Sequence, residues 1–419
     1  MVKLLRHIDF LKSVFLYTIS AFGGPQGHLG MMYKIFVEKR KDITEEELLE
    51  FNAFCQMLPG PASTQTIMLI GWKRGGPLLG VLTLLVWILP AALLMAGASF
   101  LMTRWDELSI HQELFRFVHP MTIGFVVYTA LKMMHKNVTH LATYCIMIGS
   151  TIVPLFFHSP WVFPILMLIA GFITNLTDKR IPQGKIKPIK IKWVNIRLYV
   201  IAFVVLGILS EVSRYYNWEH GRLINLSENF YRFGSFVFGG GQVLLPMMLF
   251  QFVTNPINRG GTPYMTSGEL MSGFGIVQAL PGPVFSVCVF AGGMAMNEFG
   301  PMWQWLGCAV SLVSIYLPSV LMVLFFYPIY QNLKHHVMIF RALEGIYAVI
   351  IGIIWASALI FFKEIYHIGF KDIMTDFDKV LSIDWMSILA IPITFIILKY
   401  TKIPPPLIVV FFLILGYLI

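Results

Sequence analysis

Long apolar runs, each of about 17–25 residues and so the length of a membrane-crossing helix, recur from one end of the chain to the other, separated by short polar loops. Counted along the chain they make about thirteen hydrophobic segments, and the only long polar stretch between them is about 177–195. This pattern predicts an all-α polytopic membrane protein without a separate soluble domain. Some runs are interrupted. Gly23-Gly24-Pro25 breaks the first, and Leu58-Pro59-Gly60-Pro61 breaks the segment at about 51–71. Proline removes a backbone donor, collides with the preceding turn and biases its predecessor away from helix. Each interrupted run is therefore expected to be two half-helices joined at a break.

The breaks recur in order. FGGPQGHLGMM at 22–32 pairs with FGGGQVLLPMM at 238–248, matching at seven of eleven positions, and QMLPGP at 56–61 pairs with QALPGP at 278–283. The second register extends outward: Thr44 and Glu47 match Thr266 and Glu269, Thr64 matches Ser286, and Gly71 matches Gly293. Leu89-Pro90 then matches Leu317-Pro318 after a six-residue length difference, and Pro160 with Gly171 pairs loosely with Pro405 and Gly416. Self-similarity of this kind defines the architecture before any other signal. It divides the chain into an N-terminal repeat at 1–177, a basic linker with one extra apolar segment at 178–229, and a C-terminal repeat at 230–419. The start, MVKLLRH before an apolar run, has the look of a signal peptide. It is read as part of the fold because the end of that run recurs inside the chain.

Composition agrees with the pattern: 57% of the residues are hydrophobic and only 13% charged. The net charge of +9 does not indicate nucleic-acid binding, because the Lys and Arg sit in short loops between apolar runs. Basic loops are retained on the cytoplasmic side, so they orient the chain. They place the N-terminus and the linker at 178–197 in the cytoplasm. Basic residues flank 51–71 on both sides, Lys39, Arg40 and Lys41 before it and Lys73 and Arg74 after it. The segment is accordingly expected to enter and leave on one face, as a re-entrant hairpin with its PGP at the tip. The first segment has the same flanks. In the second half the flanks are poor in Lys and Arg, and the extra segment at 196–212 supplies an odd crossing. Two inverted-topology repeats with re-entrant or broken helices follow, an arrangement frequent among secondary transporters. The alternative has all thirteen segments crossing.

Unpaired backbone at membrane depth is tolerated only where protein buries it or where it lines a cavity. A half-helix beginning at each break leaves N–H groups free and carries a partial positive charge, which is an anion site without a buried cation. The residues expected to bind an oxyanion are Gly23, Gly24, Pro25 and Gln26, then Pro59, Gly60 and Pro61, with their counterparts Gly239, Gly240, Gly241, Gln242, Pro281, Gly282 and Pro283. Gln56 and Gln278 supply amides beside the second break of each half, and Thr64 and Ser286 supply hydroxyls in the first turn after it. His28, whose counterpart is Leu244, reads equally well as a proton-linked ligand and as a hydrogen-bonded packing residue. Glu47 and Glu269 each stand three residues after a Thr at a helix start, the spacing of a capping box. Arg116 and Arg341 read as anchors at segment ends. No metal site, disulfide framework or cofactor motif is indicated; Cys55, Cys145, Cys288 and Cys308 lie in apolar segments without CxxC spacing.

The motifs FGGPQGH, QMLPGPASTQ and ILP, followed by FGGGQ, QALPGP and YLP, resemble those of the chromate ion transporter family, in its long form with two halves per chain. The resemblance implies a transporter rather than an enzyme, exporting chromate and related oxyanions such as sulfate from the bacterial cytoplasm, across the inner membrane, by use of an ion gradient. Its partners would be the anion and the lipid bilayer, with a homodimer left open. The sequence departs from internal symmetry at Gly241, where the first half has Pro25, and at Leu244. A passive anion channel and, in a different class, a membrane-embedded oxidoreductase are the competing readings. The second lacks any haem or flavin motif or metal-spaced His/Cys cluster.

Overall fold

In the computed structural model, residues 7–22, 24–107, 111–157, 162–176, 193–238, 240–258, 261–330, 337–366 and 384–418 are described. Gly23, Gly239 and most of the basic linker, 177–192, lie outside them. The described residues are helical, without strands. In chain order the main helices are α1 (Ile8–Ser20), α2 (Gly24–Met32), α3 (Glu45–Gln56), α4 (Ala62–Glu107), α5 (Val118–Asn137), α6 (Leu141–Phe156), α7 (Val162–Asn175), α8 (Val194–Tyr215) and α9 (Gly221–Phe236). Then follow α10 (Ser267–Ala279), α11 (Val287–Met296), α12 (Pro301–Phe326), α13 (Val337–Tyr366), α14 (Trp385–Tyr400) and α15 (Pro405–Leu418). Among the described residues five helices are long and apolar enough to cross a membrane, and five shorter apolar helices of 10–17 residues accompany them. The chain is a multi-pass all-α membrane protein whose apolar segments are unequal.

The inequality comes from glycine. The six glycines with positive φ among the described residues are Gly24, Gly60, Gly76, Gly240, Gly282 and Gly300. Gly24 with Gly240 and Gly60 with Gly282 are corresponding positions of the two repeats. Gly76-Pro77 and Gly300-Pro301 form a third pair that the repeat alignment did not include. Each of these two glycines combines positive φ with an extended ψ, −179° at Gly76 and 171° at Gly300, directly before a proline that opens a helix. At Gly76 the chain reverses, so α4 is two arms. A Cβ on Gly71 would lie 2.8 Å from Thr83 Cβ, and one on Gly80 would lie 2.9 Å from Met68 O. Residues 71 and 83 of a straight helix would stand about 18 Å apart. α11 and α12 double back in the same way around Gly300, where a Cβ on Gly307 would lie 2.8 Å from Met296 Cγ.

The chain forms two compact units that do not follow the order of the repeats. Unit 1 comprises Met1–Gly97, Asp178–Gly241 and Leu280–Arg341; unit 2 comprises Ala98–Thr177, Gln242–Ala279 and Ala342–Ile419. Each therefore draws on both halves. In unit 2, Gly124 of α5 faces Ile391 O at 2.8 Å of its would-be Cβ, and Gly352 of α13 faces Ser150 Cβ of α6 at 2.7 Å. Small residues let helix backbones approach where lipid supplies no hydrophobic drive between them. Arg116 is tied to Asp384 at the N-terminus of α14, with Nε 2.7 Å from Oδ2. The Thr44–Glu47 capping box is formed in both directions, and Thr266 and Glu269 make the same exchange.

Candidate functional site

All four interruptions belong to unit 1. The two halves exchange backbone hydrogen bonds there. Gly60 N donates to Val237 O at 2.6 Å, and Gly282 N donates to Ala21 O at 3.0 Å. Ala21 and Val237 are corresponding residues, each ending a half-helix just before its glycine pair. The PGP of one half is thus stitched to the glycine break of the other, in both directions. A third contact closes the set: a Cβ on Gly241 would meet Val284 Cγ1 at 2.6 Å. The helices facing the two prolyl-glycyl turns also correspond. A side chain on Gly60 would collide with Ser319 Oγ, and one on Gly282 would lie 2.9 Å from Ala91 Cβ. Ser319 and Ala91 each follow the matched Leu-Pro pair. Beside Gly24, by contrast, nothing lies within 4 Å of where a side chain would begin.

These bonds change the expected donors. The amides of Gly60 and Gly282 are used to join the halves. The N–H groups left open are those of the helix starts that follow, because the first turn of a helix has no internal acceptor. In the first half α4 begins at Ala62, and its first helical bond runs from Gln65 N to Pro61 O at 3.0 Å. In the second a 3-10 turn, Val284–Ser286, leads into α11, with Ser286 N on Pro283 O at 3.0 Å.

The polar side chains differ sharply between the two junctions. At the first, Gln65 Nε2 donates to Pro59 O at 2.7 Å and to Ser319 Oγ at 3.3 Å. Thr64 Oγ1 accepts from Trp87 Nε1 at 3.0 Å. His28 meets Ser63 Oγ at 3.2 Å through Nδ1 and sets its ring edge-on to Trp87, centroids 5.1 Å apart. His28 therefore ties α2 to the first turn of α4. At the second junction, Ser286 is fully buried and Tyr316 is 3% exposed. Their hydroxyls face each other, and neither has any other hydrogen-bond partner among the described residues. Such a pair leaves at least one buried O–H without an acceptor, which costs about 1–3 kcal/mol.

Of the residues expected at the site, Gly24, Pro59, Gly60, Pro61, Thr64, Gly240, Gly241, Pro281, Gly282, Pro283, Ser286 and His28 are gathered in unit 1. Gln56 is also in unit 1 but exposed, at the end of α3. Gln242 and Gln278 belong to unit 2, where Gln278 Nε2 is buried without a partner. Gly23 and Gly239, and the side chains of Pro25 and Gln26, lie outside the described residues. Sequence reasoning missed Gln65, Trp87, Tyr316 and Ser319. The signal for two of them was present, since Ser319 and Ala91 directly follow the matched Leu-Pro pair and Gln65 directly follows Thr64.

Comparison with known proteins points to a family of transporters. A family model described as chromate transporter matches residues 8–175 and again 224–417. A chromate transport protein of Cupriavidus metallidurans is 23% identical over 399 residues, covering 93% of this chain and 87% of the relative. An uncharacterized transporter of Methanocaldococcus jannaschii is 24% identical over 401 residues, 95% of this chain and 91% of the relative. A chromate transport protein of Pseudomonas aeruginosa is 22% identical over 358 residues, 82% of this chain and 78% of the relative. No solved structure matches the chain.

Proposed function

Because this chain belongs to the chromate transporter family, we propose that it is a secondary active transporter that exports chromate, and related oxyanions such as sulfate, across the cytoplasmic membrane. The anion is held in unit 1 by open N–H groups of the half-helix starts and by the hydroxyls of Ser286 and Tyr316. One observation carries this reading: reciprocal amide bonds join the four breaks, and two buried hydroxyls beside them have no partner beyond each other among the described residues. An oxyanion offers only acceptors, and hydroxyls and amides are the neutral donors that match it. Helix starts add partial positive charge worth roughly 0.3–1 kcal/mol each, so a dianion is bound without being trapped.

The half-helices bear on topology. α3 has 12 residues and the first arm of α4 has 13 before Gly75. At 1.5 Å per residue each spans about 20 Å, short of a hydrocarbon layer of about 30 Å. This supports a re-entrant hairpin, with Gly75 returning to the side from which α3 entered, and inverted halves of which the second opens to the outside. A cysteine at Gly75 that reacts with an impermeant reagent added outside intact cells would overturn it.

The functional test is flux in proteoliposomes, comparing chromate, sulfate and molybdate with and without a pH gradient. Accumulation of chromate against its own gradient is expected. Flux that only dissipates a gradient would make the protein a channel, and absence of flux for all three anions would remove the transport reading.

A further inference from the structure

α9 carries an ion pair inside unit 1. Arg232 is 5% exposed, and its Nε lies 2.7 Å from Glu228 Oε1, one turn earlier on the same helix. The Glu228 side chain is 13% exposed. Arg232 also bonds Asn229 Oδ1. The second carboxylate oxygen, Glu228 Oε2, is buried and has no partner among the described residues. In the corresponding helix α1 these positions are Lys12 and Leu16, both exposed. The pair thus belongs to one half only, and the extra helix α8 packs against α9 there, with Tyr231 Oη donating to Tyr199 O at 3.0 Å.

Buried charged groups are costly unless they are paired and fully hydrogen-bonded. A buried pair often adds nothing to stability over an apolar replacement. This one also leaves an acceptor open, which a purely structural clamp would fill. We propose that Glu228 is a proton-binding residue of the transport cycle, alternately neutralising Arg232 and taking a proton at Oε2. The proton comes from solution and returns to it, and no other bond changes. With Glu228 ionised the pair is neutral. With Glu228 protonated the Arg232 charge is uncompensated in a low-dielectric setting, and a dianion bound in the same unit gains from it. α9 ends at Phe236, one residue before Val237, whose carbonyl takes the Gly60 amide. The charge change is therefore made on the helix that leads into the break.

The other groups facing α9 leave this assignment intact. α11 and α12, which pack on it, contain no Asp, Glu, Lys, Arg or His; they bring the thiols of Cys288 and Cys308 and the Tyr316 phenol. From α8 come Arg197, Tyr199 and Tyr215 together with Arg214, which is held by Asn225 Oδ1 at 2.9 Å and paired with Glu211 at 3.1 Å. Arg222, near the start of α9, contacts Glu298 Oε1 at 2.5 Å.

The inference rests on the transport reading, and one experiment separates the two. Chromate is added to purified, weakly buffered protein in detergent, at pH values where chromate is fully dianionic, and both binding and proton uptake are recorded. The wild type should take up a proton with each anion, and its affinity should weaken by up to about tenfold per pH unit as pH rises. Glu228→Gln keeps an oxygen for Arg232 but cannot titrate. It should bind chromate with no proton uptake and no pH dependence. Uptake equal in both proteins, or absent from a wild type that binds chromate, would overturn the inference and leave the transport site standing. A wild type that binds no chromate would overturn both. If Glu228→Gln cannot be recovered folded, Glu228→Asp takes its place. A displaced uptake profile supports the assignment, and an unmoved one sinks it.

Discussion

At the first junction Gln65 reaches back to Pro59 and across to Ser319, and Thr64 takes the indole proton of Trp87. At the second junction Val287 and Ala91 occupy the positions of Gln65 and Ser319, Ile315 stands in place of Trp87, and the hydroxyls of Ser286 and Tyr316 have no partner beyond each other among the described residues. Both junctions share a left-handed glycine whose amide crosses to the other half. They differ in their side chains and in the 3-10 turn that opens the second helix. Among the described residues, the buried side-chain atom without a partner at the first junction, Gln65 Oε1, is an acceptor and would repel an oxyanion, whereas the hydroxyls at the second can donate. On the proposed reading the first junction is the clamp and the second is the binding surface.

The largest effects should come from breaking the shared backbone. Gly60→Leu adds a side chain where Ser319 Oγ already sits, at φ +106°. Strain and overpacking together should cost about 3 kcal/mol or more, so little monodisperse protein is expected after extraction; normal yield would show that the junction is not rigid. Gly282→Ala meets only the Ala91 methyl group, and Ala91→Gly should restore part of what it loses. The next effect sharpens the contrast. Tyr316→Phe and Ser286→Ala should each weaken chromate binding about tenfold, near 1.4 kcal/mol, with the melting temperature unchanged or raised, because an unsatisfied hydroxyl is removed. Trp87→Phe should do the reverse, lowering stability by about 1 kcal/mol and leaving affinity alone. If both classes of variant behave alike in calorimetry and in binding assays, the division of labour fails.

Gln65→Leu belongs to the clamp, and stripping Pro59 O of its donor should cost about 1–2 kcal/mol in thermal unfolding without changing substrate preference. Gln65 also shows what the sequence could and could not reveal. The doubled FGG and LPGP blocks were legible because backbone geometry demands particular residues: only glycine adopts positive φ freely, and proline stops a helix. Those demands leave the same letters in both halves. The junction chemistry was not legible, because it depends on which side chain faces which across a sequence separation of 254 residues, as Gln65 and Ser319 do. Symmetry also misled by hiding differences. Thr64 and Ser286 look equivalent in the alignment, and only the presence of Trp87 in one half and Ile315 in the other separates a satisfied hydroxyl from an open one. The assignment of breaks to amides was legible in part, since the Gly60 and Gly282 amides are consumed in joining the halves. The Glu228–Arg232 pair had no repeat counterpart to flag it.

The smallest expected effect lies at the aqueous end of the first hairpin. Lys73, just before the Gly75–Gly76 turn, donates to Glu47 Oε1 at the start of α3. The position in register with Lys73 in the second half is Ala295, which cannot make this bond to Glu269. The hydrogen bond from Lys73, followed by that from the Thr44 backbone, holds the Glu47 carboxyl below the usual carboxylate range. A carboxyl whose folded pKa is depressed adds stability that is present above its unfolded pKa, about 4.3. That stability disappears as pH falls through the folded value. The pair is solvent-exposed, so the gain is below about 1 kcal/mol and is screened by salt. Lys73→Met should flatten the acid limb of the stability profile at low ionic strength and leave it unchanged in high salt. Thr266→Ala, which removes only the capping hydroxyl of the second half, should lower stability by about 1 kcal/mol regardless of salt. Equal salt sensitivity of the two variants would mean that the ends of the hairpins are alike, and that the asymmetry of the molecule is confined to its buried junctions.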